Sequence, residues 1–492
     1  MQLASSGAPA VLLAHSYYLR HDPKQVQKMR PYPPLATLIT ASVLRQHGID
    51  VTLFDAMLAS GVEEFYRTLD AVRPAVVTIV EDNFNFLTKM CTVRMRTAAL
   101  DMVRAAGRAG ARVAVNGSDA TDHPQLYLDA GADAVIVGEV EPTVLDLVRA
   151  WRAHRNAPLD VIPGLVLPAA PRDPRRDDRH PGFRRTAARP ALEDLDTLPF
   201  PAWDLVDRQG YRSEWLRAHG RWSWNLVASR GCPYRCNWCA KPLFGSRYTQ
   251  RSPGHVAEEL RRLRETVGPD HVWFADDIFG LTPQWIQTFA REVAARGART
   301  PFTMQSRVNL MKPAVVEALA SAGAEEVWLG VESGSQKILD AMDKGTDLAQ
   351  IRRATRCLKA HGIRSCWFIQ LGYLGEEWDD ILLTRDLIRA EQPDEIGVSV
   401  SYPLPGTSFY QTVRTQLREK INWEHSDDLA MMFAGTYDTD FYRLVRDLLH
   451  QEVRQPAAGA ETAGASLDRR WEELTRLESR ARRGNGRPLP VC

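Results

Sequence analysis

The chain has 492 residues, of which 44% are hydrophobic and 25% are charged, and its 62 basic and 61 acidic side chains leave a net charge of +1. This length predicts about two to four globular domains, and the charge balance gives no reason to expect nucleic acid as a partner. No apolar run approaches the roughly 18 residues of a membrane span. Seven cysteines, an odd and sparse number, argue against a disulfide framework, so we expect a cytoplasmic protein with reduced thiols.

Residues 1–167 alternate between short apolar runs and amphipathic segments. Strand-like runs such as AVLLAHS and AVVTIVEDN are separated by helical patterns such as PLATLITASVLRQHG. This alternation predicts an α/β domain with a doubly wound, Rossmann-like parallel sheet. Ligands bind such sheets beyond the carboxyl ends of the strands. No G-x-G-x-x-G pattern follows the first strand, which disfavours a dinucleotide.

Three further segments follow in the chain. Residues 168–205 are rich in proline and paired charges, which is typical of a linker. Residues 206–409 contain six strand–helix units, too few for an eight-fold barrel but enough for an open, partial (β/α)6 barrel. Residues 410–492 are mainly helical by pattern. Active sites of such barrels lie at the carboxyl ends of the strands.

The segment RGCPYRCNWCAKP places three cysteines directly after the first strand of the predicted barrel. They are Cys232, Cys236 and Cys239. Closely spaced thiolates bind either a tetrahedral zinc ion or an iron–sulfur cluster. A zinc ion needs a fourth ligand, and the nearest candidate, His255, lies in an ordinary helix start. A four-iron cluster held by three thiolates keeps one iron open, and that iron can bind a substrate or cofactor.

The cysteine pattern, with Trp238 before the third cysteine, resembles that of the radical S-adenosylmethionine (SAM) superfamily. The segments VWLGVESGSQKILDAMDKG, GIRSCWFIQLGYLGE and SYPLPGTSFY resemble the later strand segments of that family. The resemblance implies a 4Fe-4S cluster whose open iron chelates SAM. Ala275-Asp276-Asp277 stands where many members carry Gly-Gly-Glu. The expected SAM contacts are Glu332, which would face the ribose, Arg307, which would pair with the carboxylate group, and Asp276, Asp277 and Gln370.

A doubly wound domain ahead of such a barrel resembles the cobalamin-binding subgroup of the superfamily. The resemblance implies cobalamin in the loops at the strand ends of the first domain. Its expected contacts are Asn83, Phe84, Asn85, Ser118, Asp119, Gly138 and Glu139. The Asp-x-His-x-x-Gly signature of a lower axial histidine is absent, since Asp119 and His123 have the wrong spacing. We therefore expect a cobalt ion without a histidine on its lower face.

The resemblance implies a cobalamin-dependent radical SAM enzyme, and we expect it to be a methyltransferase. It would move a methyl group to an unactivated carbon of a small, natural-product or lipid-like substrate, with an electron donor such as flavodoxin or ferredoxin. One alternative is an enzyme with the same cofactors that closes a ring or rearranges its substrate without methylation. A second, from another class, is a zinc-stapled, nucleotide-binding scaffold without catalysis.

Overall fold

The computed structural model of the protein describes residues 11–81, 92–169, 182–241, 243–420, 422–454 and 460–482. Its first sheet has the strand order β2-β1-β3-β4-β5-β6-β7. Strands β1 to β5 are parallel, whereas β6 and β7 run antiparallel to their neighbours. The bounds of β1 to β7 are Val11–Ala14, Val51–Phe54, Val76–Val80, Arg112–Asn116, Ala134–Ile136, Leu165–Pro168 and Phe183–Arg185.

Helices cover both faces of this sheet. On one face Leu35 and Val144 belong to one apolar core, and on the other face Phe65 and Met102 belong to another. The central strand β3 is buried along its whole length, as expected for a parallel strand covered on both sides. The predicted doubly wound domain is confirmed. The bounds of α1 to α7 are Pro23–Lys28, Leu35–Gln46, Val62–Val72, Val93–Arg108, Ser118–Asp122, Pro124–Asp129 and Val140–Ala153.

The first sheet continues past residue 167, where we expected its domain to end. Strand β6 reaches Pro168, and Phe183–Arg185 forms β7 although it lies in the predicted linker at 168–205. Strand β7 pairs with β6 through Val166 opposite Arg185. The arginine-rich composition hid this edge strand, because an edge strand has one solvated side and tolerates charged residues.

The second sheet contains six parallel strands in the order β15-β14-β13-β12-β11-β8. Each neighbour follows in chain order, and helices lie between the strands, so this is the predicted (β/α)6 arrangement. A small antiparallel pair, β9 and β10, follows β8. The bounds of β8 to β15 are Ser223–Leu226, Ser229–Arg230, Thr249–Gln250, His271–Phe274, Phe302–Ser306, Ala324–Glu332, Arg364–Leu371 and Glu395–Val400.

The remaining helices surround this second sheet and extend to the C-terminal region. Trp471, in the last helix, is 2% exposed and packs against Trp378 of the barrel, so the predicted helical region docks onto the barrel. None of the described helices is long and apolar enough to cross a membrane. The bounds of α8 to α17 are Arg208–His219, Pro253–Thr266, Pro283–Ala295, Pro313–Ala322, Gln336–Ala341, Leu348–Ala360, Trp378–Glu391, Ser408–Val413, Thr439–Arg454 and Ala460–Ala481.

Gly334 provides a test of the packing between the end of β13 and α14. A Cβ atom at Gly334 would lie 2.5 Å from the Cα atom of Thr384 and would also meet the carbonyl oxygen of Leu383. Gly334→Ala should therefore lower the free energy of unfolding by about 1–3 kcal/mol, measured in urea. Gly107→Ala is the control, because nothing lies nearer than 3.8 Å there, and alanine should be neutral or stabilising in that helix. Equal effects of the two changes would contradict the packing argument.

Candidate cluster and cofactor site

The three cysteines lie on a loop that follows β8 at the carboxyl end of the second sheet, and we call residues 231–241 the cluster loop. Its base is closed by the pairing of β9 with β10. Gly231 opens the loop with φ +77°, and a Cβ atom there would clash with the backbone oxygen of Arg247. Glycine is therefore required at this turn. Cys232, Cys236 and Cys239 follow as half-buried thiols.

A lysine at the end of the cluster loop is hydrogen-bonded to the beginning of the same loop. The ammonium group of Lys241 donates a hydrogen bond of 2.8 Å to the carbonyl oxygen of Cys232 and a second one to the carbonyl oxygen of Tyr234. The first and last parts of the loop are thus tied together by the chain's own groups. Burial raises the pKa of the Cys232 thiol. Hydrogen bonds within the protein thus hold the loop that carries the three cysteine thiols in its folded shape.

The spacing of the three sulfur atoms distinguishes between the two metal centres that the sequence left open. Among the described residues, three ligand atoms within 4.8 Å of one another occur at Glu326, Cys366 and Glu395 alone, so at least one pair of the cluster-loop sulfurs lies farther apart than 4.8 Å. Sulfurs on one tetrahedral zinc ion stand only about 3.8 Å apart, given Zn–S bonds of about 2.3 Å. The donor set therefore fits a multi-iron cluster better than a single zinc ion.

Arg307 contacts the cluster loop directly. It follows β12 and is 7% exposed. Its guanidinium lies 3.8 Å from the ring centroid of Tyr234 and donates a 3.4 Å hydrogen bond to the sulfur of Cys236. A second guanidinium nitrogen donates to the carbonyl oxygen of Lys344. We predicted Arg307 as a partner of the SAM carboxylate. In this structure its hydrogen bonds go to the cluster loop, to the turn at Lys344 and to the side-chain oxygen of Asn309.

Glu332, the predicted ribose contact, ends β13 in an unusual conformation. Its φ of +66° is rare for a residue other than glycine and costs conformational energy. The register with β14 shifts at this point. The Glu332 carboxylate accepts a 2.6 Å hydrogen bond from the ammonium of Lys344, and both side chains are 6% exposed. Sequence reasoning missed Lys344, although it lies in the segment VWLGVESGSQKILDAMDKG, because nothing in the sequence shows that its side chain turns inward.

Gln370 lies on the strand next to Glu332. Residue 369 of β14 pairs with Glu332 of β13, so the two predicted SAM contacts are brought to neighbouring strand ends. The Gln370 side chain is 4% exposed, and its amide nitrogen donates a 3.0 Å hydrogen bond to the hydroxyl of Ser401. This contact holds the ends of β14 and β15 together and orients the amide.

Asp276, a predicted SAM contact, is buried and hydrogen-bonded within the protein. It is 1% exposed, and its carboxylate accepts a 3.0 Å hydrogen bond from the amide of Ala228 and another from the hydroxyl of Ser229. These residues immediately precede the cluster loop, so Asp276 fixes the strand end from which the loop departs. Burial raises the pKa of Asp276 to about 7. The neighbouring Asp277 is exposed and remains a predicted SAM contact.

The predicted cobalamin contacts of the first domain divide into three kinds. Asn83, Phe84 and Asn85 lie outside the described residues. Asp119 forms a bidentate ion pair with Arg96 and accepts a 2.7 Å hydrogen bond from Tyr127, so its carboxylate is used within the domain. Ser118 is buried, and its hydroxyl has no partner among the described residues. Gly138 has φ +85°, and a Cβ atom there would lie 3.8 Å from the Leu243 carbonyl oxygen near the cluster loop.

Glu139 belongs to an ion-pair group that sequence reasoning missed, the Arg230 triad, which consists of Arg230, Glu139 and Glu141. Arg230 directly precedes the cluster loop and is 5% exposed. Its guanidinium donates to Glu139 and, at 2.6 and 3.1 Å, to the two oxygens of Glu141. Glu139 also accepts a 3.2 Å hydrogen bond from the amide of Leu192. These contacts join the first domain, the linker and the start of the cluster loop. They also engage the carboxylate of Glu139, which we predicted to meet cobalamin.

Comparison with known proteins agrees with this geometry. Residues 226–388 match the family model described as the Radical SAM superfamily. The hopanoid C-3 methylase of Methylococcus capsulatus is 26% identical over 403 residues, which are 78% of this chain and 69% of the methylase. The anaerobic magnesium-protoporphyrin IX monomethyl ester cyclase of Synechocystis is 27% identical over 292 residues, which are 58% of this chain and 55% of the cyclase. The chain thus spans between about half and two thirds of these relatives.

A solved structure shares the fold of both domains. It is the radical SAM methyltransferase TsrM from Kitasatospora setae, with cobalamin and a 4Fe-4S cluster bound. The TM-score is 0.67 at 18% identity, and the superposition covers 82% of this chain and 78% of TsrM. Residues 226–388 thus match the radical SAM family model, and they contain most of the second sheet. The chain as a whole, including its N-terminal α/β domain, shares its fold with TsrM.

The Arg230 triad leads to a prediction about stability. Removing Arg230 leaves two buried carboxylates without their cation, and breaking a buried ion pair in this way costs about 3–5 kcal/mol. We expect Arg230→Met to lower the free energy of unfolding by this amount, measured by urea denaturation at neutral pH. The control is Arg221→Met, which removes the surface ion pair with Glu325 and should cost at most about 1 kcal/mol. A similar small loss for both variants would show that the triad is dispensable.

Asp276 leads to a prediction about pH. Burial raises its pKa in the folded protein from the usual 3.8 to about 7, so the folded state binds more protons than the unfolded chain between these values. Its contribution to the free energy of unfolding should therefore fall as pH rises from about 4 to about 7, and then level off. Asp276→Asn removes this titration. Relative to the wild type, the variant should gain stability over this pH range, by an amount on the order of a few kcal/mol. A difference that does not vary with pH would contradict the argument.

Proposed function

We propose that this protein is a cobalamin-dependent radical SAM enzyme that methylates an unactivated carbon of a small molecule. One observation carries the proposal. The three-cysteine cluster loop lies at the carboxyl ends of six parallel strands, and the Arg230 triad joins it to the strand-end loop of the doubly wound domain. A radical-generating site and a second cofactor domain would thereby face one reaction space.

The residues that would hold each group follow from the geometry. Cys232, Cys236 and Cys239 would hold the 4Fe-4S cluster, and the predicted SAM contacts stand at the neighbouring strand ends. Ser118 and Gly138, with the predicted contacts Asn83, Phe84 and Asn85, would meet the cobalamin. When bound, the cluster and SAM supply a 5′-deoxyadenosyl radical that removes hydrogen from the substrate, and methylcobalamin supplies the methyl group. The hydrogen bond from Arg307 to the Cys236 sulfur would tune the reduction potential, because such bonds stabilise charge on sulfur.

A radical must be kept from water, and the segment 422–433 supplies a cover. Trp423 packs against Tyr402 at the end of β15, with ring centroids 4.9 Å apart, and its carbonyl oxygen accepts a hydrogen bond from the amide of Val93 in the first domain. Met431 lies against Gly372 at the end of β14. The segment therefore bridges both barrel strand ends and the first domain, which would exclude water from the reaction space.

The proposal also concerns partners and location. The cluster must be reduced, so we expect an electron donor such as flavodoxin or ferredoxin. The near-neutral charge offers no large field for nucleic acid, and the few thiols fit the reducing cytoplasm. The substrate would be a small organic molecule, natural-product-like or lipid-like.

Ring closure or rearrangement without methylation is the second candidate reaction. The 27% identity with the Synechocystis cyclase over 292 residues favours it, since it is as high as the identity with the methylase. Incubation with methyl-labelled SAM distinguishes the two. Label in the product with a mass gain of one methyl group supports methylation, whereas an unlabelled product of changed mass supports ring closure or rearrangement.

The cofactor content is the first test of the proposal. After anaerobic reconstitution with iron, sulfide and cobalamin followed by desalting, we expect about four iron atoms and one cobalt atom per chain by elemental analysis. Cys236→Ala should lose most of the iron because it removes one of three ligands. Cys357→Ala is the control, since this half-buried thiol lies in α13, and the variant should keep the wild-type iron content. Iron without cobalt would contradict methyl transfer from cobalamin, and absence of both would contradict the whole proposal.

A further inference from the structure

Asn237 is a residue of the cluster loop to which the proposed function assigns no role. It lies between Cys236 and Cys239, and both its backbone and its side chain are engaged. Its amide donates a 3.1 Å hydrogen bond to the carbonyl oxygen of Met342, and its own carbonyl oxygen accepts a 3.0 Å hydrogen bond from the amide of Phe409.

The side-chain amide of Asn237 makes three more hydrogen bonds. Its nitrogen donates to the carbonyl oxygen of Ala341 at 2.8 Å and to the carboxylate of Asp343 at 3.0 Å. Its oxygen accepts from the hydroxyl of Tyr373 at 2.7 Å. Asparagine suits this position because it offers two donors and an acceptor on one planar group, whereas aspartate offers acceptors only.

These partners come from three separate strand ends of the barrel. Residues 341–343 form the turn after α12, which follows β13. Tyr373 follows β14, and Phe409 begins the helix after β15. The rings of Tyr373 and Phe409 stack with centroids 5.0 Å apart, and the single hydroxyl proton of Tyr373 is shared between Asn237 and, at the longer distance of 3.1 Å, the carbonyl oxygen of Ala341. One residue between two cluster ligands is thereby fastened to the far side of the strand-end rim.

The same turn leads to the predicted SAM site. Lys344, one residue past Asp343, binds the Glu332 carboxylate through its ammonium and Arg307 through its carbonyl oxygen. A change in the contact between Asn237 and this turn would therefore shift the cluster loop relative to Glu332. Such a shift would displace the open iron from the groups that orient SAM, without removing any cysteine.

We propose that Asn237 is a positioning residue that sets the orientation of the cluster loop, and hence of its ligand-free iron, relative to the SAM site. The inference rests on the proposed function. It predicts that loss of the Asn237 side-chain hydrogen bonds weakens SAM binding while the three cysteines still retain iron. A residue that merely stabilises the fold would instead lower the iron content and the stability together.

The test compares variants of the reconstituted protein at equal iron content. Asn237→Asp keeps the shape and the acceptor for Tyr373, but it loses both donations and places a second carboxylate beside Asp343. We expect its SAM dissociation constant, measured by equilibrium dialysis, to rise about 10- to 100-fold, as is usual when an outer-shell partner of a metal site is lost. The change that SAM causes in the electron paramagnetic resonance spectrum of the reduced cluster should shrink in parallel.

A reciprocal exchange supplies the rescue. The double variant Asn237→Asp with Asp343→Asn puts a donor opposite the new carboxylate and removes the like charges, so it should recover at least about 3-fold in SAM affinity over Asn237→Asp. Tyr373→Phe removes only one hydrogen bond and keeps the ring stacking. It should weaken SAM binding by about 2- to 10-fold.

The outcomes separate this inference from the proposed function. If wild-type protein binds neither iron nor SAM, the proposed function fails, and the inference fails with it. If the wild type binds both, and Asn237→Asp keeps wild-type SAM affinity and spectrum, only the inference is wrong. Should Asn237→Asp retain no iron, Tyr373→Phe decides: weaker SAM binding at full iron content supports the inference, and unchanged binding overturns it.

Discussion

The buried guanidinium of Arg230 is the interaction on which the relation between the two sheets depends. It stands one residue before the cluster loop, and its partners Glu139 and Glu141 begin the last helix of the doubly wound domain. Burial raises the pKa of Glu139, while the positive charge of Arg230 opposes that shift. Two carboxylates and one guanidinium can remain buried together only if each satisfies the others. The triad therefore holds the doubly wound domain and the cluster loop in a fixed position relative to each other.

From this anchor the cluster loop is held by residues distant in sequence. Lys241 closes it from within, Arg307 contacts it from the third barrel strand, and Asn237 fastens it to the rim beyond. The loop is half-buried yet carries no regular secondary structure over most of its length, so its backbone polar groups need such partners. A site for a radical reaction gains from this rigidity, because displacement of the reacting groups by about 1 Å can cost a factor of 100 in rate.

The elements that sequence analysis predicted well are those that depend on the pattern of neighbouring residues in the chain. The parallel strands are apolar runs bounded by helices, and the cysteine spacing reports a ligand set without reference to distant residues. What sequence analysis did not predict are the protein partners of the charged side chains near the site. Asp276, Asp119 and Glu139 were assigned to cofactors by position along a strand end, whereas the structure engages each with protein groups. The edge strand at Phe183–Arg185 was missed because its charged residues are typical of a linker.

The sequence by itself determined the two α/β domains, their order, and the three closely spaced cysteines after the first strand of the second sheet, because periodicity and residue spacing are local properties of the chain. The tertiary structure alone decided which carboxylates face the reaction space. A carboxylate that contacts a buried guanidinium or amide has its hydrogen bonds within the protein. Whether it has such a partner depends on residues tens to hundreds of positions away in the sequence. Asn237 shows this most clearly: in sequence it is one residue between two cysteines, and only the folded barrel brings its five partner groups within hydrogen-bond distance.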